Sequence, residues 1–238
     1  MKFYDLHIHS AFSEGTSSIE QLASTAKQLG YSGICFAEYF KNLDQIKRLS
    51  GEIEKVKQKV GMEIFLGFEA RNVKELAKLA NIRRKFDVLL VRGGDLKLNR
   101  LACETPEADI LTHPEYERFD SGLNHVLVKE AARNNVAIEI NFREILITSK
   151  SSRSRVLHNI AQNIELAKKY HAPIILCSGA ISHFELRSPE CLVSMANQLG
   201  LELDEAKNSI SKIPEKILLQ AKGRKGEDFV IPGVKVVK

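Results

Sequence analysis

Short apolar runs alternate with longer amphipathic stretches along almost the whole chain. Lys2–Ile8, Gly33–Ala37, Glu63–Gly67, Phe86–Val91, Asp109–Thr112, Val136–Asn141 and Pro173–Ser178 are mostly hydrophobic and of strand length. Runs of that kind are expected of strands covered on both faces. Between them, apolar positions recur at helical spacing. Helices are predicted over Ser18–Leu29, Asn42–Lys59, Val73–Lys85, Leu96–Ala102, Gly122–Asn134 and Ser188–Leu199, and Asp204–Ala221 reads as two short helices broken at Pro214. The stretch Ser149–Ile181 has the same cadence with the strongest charge. A Ser-rich basic loop carrying Lys150, Arg153 and Arg155 runs into a helix striped by Leu157, Ile160, Ala161 and Ile164. Pro173 then opens a strand that Gly179 closes.

Seven strands joined by helices imply parallel pairing and right-handed crossovers. No glycine-rich GxGxxG follows the first strand, so dinucleotide binding is not indicated. Polar residues stand at the C-terminal ends of several strands, and the 238 residues approach the roughly 250 typical of a closed barrel. The expected fold is therefore a TIM-like (β/α) barrel with seven parallel strands. Residues 1–222 form its single domain. Residues 223–238 are expected to be a flexible basic tail, in which Val234, Val236 and Val237 either add to a partner's sheet or stay disordered.

The net charge of +5 and pI near 8.9 permit a polyanionic partner without demanding one. Cys35, Cys103, Cys177 and Cys191 show no CxxC spacing and read as thiols of a reducing compartment. No apolar run approaches the roughly 20 residues of a membrane span, so a cytoplasmic protein without a membrane partner is expected.

The first strand ends His7-Ile8-His9. Residues two apart share a strand face, which sets both imidazoles, and Asp5, on one side. Glu38 or Tyr39, Glu69, Arg92, His113, Glu139 with Asn141, and Ser178 fall at comparable positions on the other strands. Such a ring of His and carboxylate suits a metal. The pattern resembles the PHP family of metal-dependent phosphoesterases, with His7 and His9 fitting its HxH motif, Glu69 its glutamate and His113 a later histidine. Where that family has Asp-His, this chain has Glu38-Tyr39. Its final Asp-x-His is Gly179-Ala180-Ile181, and Arg92 replaces a histidine. A guanidinium there repels divalent cations and pairs with Glu69. The expectation is a dismantled centre with no catalytic residue, holding at most a single adventitious divalent ion on His7, His9, Glu69 and His113.

The second half resembles the ribonuclease P protein component 3 family, whose eukaryotic counterpart is the p30-type subunit. The likeness rests on Val136–Phe142, the Arg153/Arg155 helix, Cys177–Ala180, Glu185–Pro189, Leu203–Ile210 and Pro214–Ile217, with Asp109–His113 and Leu123–Val126 also fitting. This resemblance implies a subunit of an enzyme whose catalyst is an RNA using bound magnesium to remove the 5′ leader of precursor tRNA. It implies no cofactor of the chain's own. The partners would be the ribonuclease P RNA, a second small protein subunit, other proteins of that enzyme and, indirectly, precursor tRNA. A stand-alone PHP-type phosphoesterase is the alternative.

For RNA contact the residues themselves supply Arg143, Lys150, Arg153 and Arg155, opposed only by Glu144, with Ser149, Ser151, Ser152 and Ser154 as hydroxyl donors. Arg187, at the top of strand seven, and Lys222, Arg224 and Lys225 in the tail are further candidates.

Overall fold

The computed structural model describes residues 1–226 together with the backbone of 229–231 and 234–235. Strands β1 (Tyr4–Ile8), β2 (Gly33–Glu38), β3 (Glu63–Ala70), β4 (Val88–Arg92), β5 (Ile110–Thr112), β6 (Ala137–Asn141) and β7 (Ile174–Cys177) pair in sequence order, every neighbour parallel. A bridge between Ile8 and Ala180 and a 2.9 Å bond from the His9 amide to the Ala180 carbonyl bring the ends of the sheet together. The seven-stranded parallel barrel read from the sequence is therefore the fold.

Helices α1 (Ile19–Gln28), α2 (Leu43–Val60), α3 (Val73–Asn81), α4 (Leu96–Glu104) and α5 (His125–Asn134) pack outside the strands. Each starts at a side-chain cap: Ser18, Asn42, Asn72, Asp95 and Asn124 accept bonds from amides of the first turn, satisfying donors the helix cannot pair itself. The outer core lies between these helices and the barrel. The interior core is small and includes Tyr4, Leu6, Cys35, Val88, Leu90, Ile110 and Ile175.

Three elements differ from those expected from the sequence. The basic stretch is not a loop. Helix α6 (Phe142–Ile147) follows β6 directly, and α7 (Lys150–Tyr170) begins at Lys150, so Lys150, Arg153 and Arg155 occupy its first two turns. Pro214 breaks nothing. After α8 (Pro189–Gln198) and α9 (Leu203–Ser209), it lies in the first turn of α10 (Lys212–Arg224), where the missing N–H costs no bond. The tail also does not begin at 223. Ile217 and Leu218 of α10 join the interior core and close the N-terminal end of the barrel. Arg224 is buried and bonds Asp109 at 2.7 Å, and Lys225 pairs with Asp87 at 2.5 Å. Arg224 and Lys225 are thus anchors on the face opposite the barrel mouth, not free cations for RNA. Beyond them, Phe229–Ile231 pairs antiparallel with Val234–Lys235. Val236, Val237 and the expected mobility of the last residues lie outside the described residues.

Candidate functional site: the barrel mouth and its basic rim

A cavity of about 290 Å³ opens at the C-terminal ends of the strands, lined by His7, His9, Glu14, Arg92, His113, Asn141, Arg143 and Glu144 among others. The fold brings all four predicted metal candidates together here. His7, His9 and Glu69 present ligand atoms within 4.8 Å of one another, and His113 Nε2 lies 3.9 Å from Glu69.

A slip in β1 sets the first two in place. Asp5 is opposite Ile34 and Ile8 opposite Phe36, so β1 carries one extra residue. Leu6 stays in the interior core, and after the bulge His7 and His9 turn into the mouth. Bulges re-aim side chains in this way. The expectation that Asp5 joins the histidines fails for that reason. Its carboxylate instead accepts the Ser178 amide at 3.2 Å, and burial raises its pKa to about 6 against the pull of Ser178.

His7 is the hub. Its Nδ1 is 2.6 Å from Glu139 Oε1 and its Nε2 is 3.0 Å from His9 Nε2. Burial works against a charge on His7, but the Glu139 carboxylate outweighs it and lifts the pKa to about 9. A doubly protonated His7 satisfies both contacts: one N–H donates to Glu139, the other to the His9 lone pair. Burial, with the positive His7 and Arg92 nearby, holds His9 well below its ordinary pKa. Burial likewise takes His113 down to about 3. Its amide donates to Glu139 Oε2 at 3.0 Å, and Asn141 Nδ2 donates to the same oxygen at 3.1 Å. Asn141 also caps α6, accepting from the Arg143 amide at 2.9 Å. It packs so closely on Gly179 (φ 63°) that a Cβ there would lie 2.4 Å from Asn141 Oδ1.

Arg92 places a positive charge against Glu69. Its Nε donates to Glu69 Oε2 at 3.1 Å, and its Nη2 reaches Glu14 at 2.9 Å and the Tyr39 hydroxyl at 2.6 Å. The pairing of Arg92 with Glu69 was legible in the sequence, while Glu14, in the loop after β1, was missed. The other Glu69 oxygen accepts from Thr112 at 2.9 Å. Glu38 is turned away to Ser10, 2.5 Å from its hydroxyl. The donor set therefore does not fit a multi-ion hydrolytic centre. Only three donor atoms lie within 4.8 Å of one another among the described residues, and a guanidinium is already paired with their carboxylate. Arg92→Ala should expose that set. Titration with Co²⁺, followed by visible absorption, is expected to show one bound equivalent in the variant and none in the parent. Silence in both would mean that the donors do not converge.

The rim above carries the predicted RNA contacts, and the structure divides them. Lys150, Arg153 and Arg155 are exposed. Arg153 donates to the Thr148 carbonyl, closing the start of α7, and Arg155 lies over the Phe119 ring at 4.6 Å. Arg143 is half-buried and bonded to Glu185 at 3.1 Å, so Glu144 is not its only opposing acid. Arg187 donates to the carbonyls of Phe184 and Leu186. Lys222 is exposed on α10, at the far end of the barrel.

The family model described as RNase P subunit p30 matches residues 2–226. The chain belongs to this family. A relative named ribonuclease P protein component 3, from Methanosarcina mazei, is 41% identical over all of this chain and 96% of its own length. A chain in a cryo-EM structure of archaeal ribonuclease P with mature tRNA superposes with a TM-score of 0.83 at 28% identity, covering 99% of this chain and 98% of that one. A chain from the crystal structures of YwqE from Bacillus subtilis and CpsB from Streptococcus pneumoniae, metal-dependent tyrosine phosphatases, is similar in fold, with a TM-score of 0.55 at 16% identity, covering 99% of this chain and 100% of that one. No helix among the described residues is long and apolar enough to cross a membrane.

Proposed function

We propose that this p30-family barrel is a non-catalytic protein subunit of ribonuclease P, working in the cytoplasm beside a second small protein subunit and the enzyme's other proteins. It holds the RNA catalyst by its C-terminal rim. The RNA, not this chain, carries the magnesium and cleaves the 5′ leader from precursor tRNA. One observation supports the reading above all: Arg92 sits on Glu69, where a hydrolytic barrel would need a metal ion, and the same face presents Lys150, Arg153 and Arg155 at a helix start. Backbone N–H groups and the helix dipole already favour phosphate there. Contacts of this kind follow backbone and shape rather than sequence.

A stand-alone phosphoesterase is the second reading, favoured by the convergence of His7, His9 and Glu69. A single divalent ion on those donors would have to displace Arg92 and the proton on His7. Reconstitution with and without the chain separates the two. The chain should raise precursor cleavage by the RNA and the remaining proteins, and alone, with manganese or zinc, it should not hydrolyse a phosphodiester. Turnover by the isolated chain that His7→Ala abolishes would overturn the proposal.

A further inference from the structure

Among the described residues only two aromatic side chains are strongly exposed, Phe119 at 85% and Phe184 at 79%. Both stand on the mouth face. Phe119 lies in the segment between β5 and α5, and Phe184 in the segment between β7 and α8. Since β5, β6 and β7 are neighbours, the two rings flank the sector from which α6 and the basic start of α7 emerge.

Each ring is held out by a pinned backbone. Next to Phe119, the Arg118 side chain bonds the Gly94 carbonyl at 2.9 Å and both oxygens of Asp120. Beside Phe184, His183 is fixed to the Ser17 hydroxyl through its amide at 3.1 Å and its ring at 2.8 Å. A guanidinium lies on the Phe119 ring, and another reaches the backbone of Phe184 while resting over the Phe142 ring at 5.6 Å. Arg155 packs over Phe119 at 4.6 Å, and Arg187 donates to the Phe184 carbonyl at 2.9 Å.

A protein partner would favour a contiguous apolar patch. These rings instead have charged and polar neighbours in the chain, Glu117, Arg118 and Asp120 around one and Ser182, His183 and Glu185 around the other, and the Phe184 ring lies against the His183 imidazole with centroids 3.9 Å apart. A cleft of about 530 Å³ adjoins Phe119, lined in part by Arg71, Arg92, Leu98 and Tyr116. Its volume falls in the range that holds small organic molecules. An exposed ring backed by a guanidinium or an imidazole, with an arginine close by, matches an unpaired nucleotide, whose base stacks on the open face while its phosphate meets the guanidinium.

We propose that Phe119 and Phe184 are stacking platforms for unpaired bases of the bound RNA, with Arg155 and Arg187 alongside for the adjoining phosphates. This rests on the RNA-binding reading above and names the RNA feature that the rim takes: bases outside a duplex.

The test uses full-length chain assembled with the ribonuclease P RNA and the other protein subunits. Phe119→Ala and Phe184→Ala should each weaken RNA binding by about 5- to 150-fold. Each should also raise the 2′-hydroxyl acylation of one or two unpaired nucleotides while leaving the salt dependence unchanged. Trp at either position should restore the parent behaviour and Leu should not. Restoration by Leu equal to that by Trp would overturn the proposal in favour of a plain apolar contact. Loss of protein-subunit capture without RNA would overturn it in favour of a protein partner. If the Phe variants are silent while charge reversal at Lys150, Arg153 and Arg155 still weakens binding, the platforms fall and the RNA reading stands. If neither set has an effect, the RNA reading falls as well.

Discussion

Asp109→Ala is expected to lower the melting temperature by about 6–20 °C, from roughly 3–5 kcal/mol for breaking a buried ion pair and about 2–4 °C per kcal/mol at this chain length. Asp109 is buried just before β5. One carboxylate oxygen accepts from Arg224 at 2.7 Å, and the other accepts from Arg83 and, at 2.8 Å, from the Leu89 amide. Both guanidiniums are themselves buried. Removing the carboxylate leaves two positive charges facing each other in a poorly solvated site, and burial already lowers the pKa of Arg83. It also frees the end of α10, which closes the base of the barrel. Asp109→Asn keeps the shape without the charge and should lose most of the same stability. Asp44→Ala, on the exposed side of α2, should lie close to the parent. Calorimetry of the three variants checks this, and an Asp109→Ala melting point within about 2 °C of the parent would show that the triad does not hold the base.

The second large effect concerns the mouth face. Reversing Lys150, Arg153 and Arg155 to Glu should weaken RNA binding at least about tenfold. It should also flatten the slope of log affinity against log salt by about 2–3, since each phosphate contact contributes roughly 0.7–0.9. All three side chains are solvent-exposed on the first two turns of α7, so the fold should survive, as circular dichroism would verify. Lys222→Glu serves as the control. It is equally exposed but rides on α10 at the opposite end, and it should leave both affinity and slope unchanged. Fluorescence anisotropy across a salt series measures both quantities. An unaltered slope in the triple variant would exclude the start of α7 as a phosphate contact.

Much of this architecture was legible because it is local. Apolar runs of strand length and the helical spacing between them depend on residues a few positions apart, and seven parallel strands follow from the order of elements. His7, His9, Glu69 and His113 were readable for the same reason, since each ends or follows a strand and strand ends converge in a barrel. The pairing of Arg92 with Glu69 followed from charge once both stood on that rim.

What escaped depends on register or on distance along the chain. The extra residue in β1 left Asp5 at the β1–β7 seam, and alternation alone could not reveal it. Arg83 and Arg224 meet Asp109 from 26 and 115 positions away, so Arg224 read as a tail cation although it is buried. The serines after Ser149 suggested a loop because serine has only modest helix propensity. Helix α7 nevertheless runs through them, its buried stripe lying further along at Ile160, Ile164 and Ala167. Phe119 and Phe184 carry no periodic signal, and only their exposure in the fold singles them out.

The proposed grip on RNA is by the C-terminal rim of the barrel, around a mouth in which Arg92 pairs with Glu69. Ultraviolet crosslinking of the reconstituted enzyme, with the crosslinked peptides mapped by mass spectrometry, tests it most directly. RNA adducts should fall in 113–124, 142–158 and 178–188, the segments that follow β5, β6 and β7. Adducts confined to α10 and the opposite end of the barrel, or a chain that joins the enzyme with no adduct at all, would contradict it.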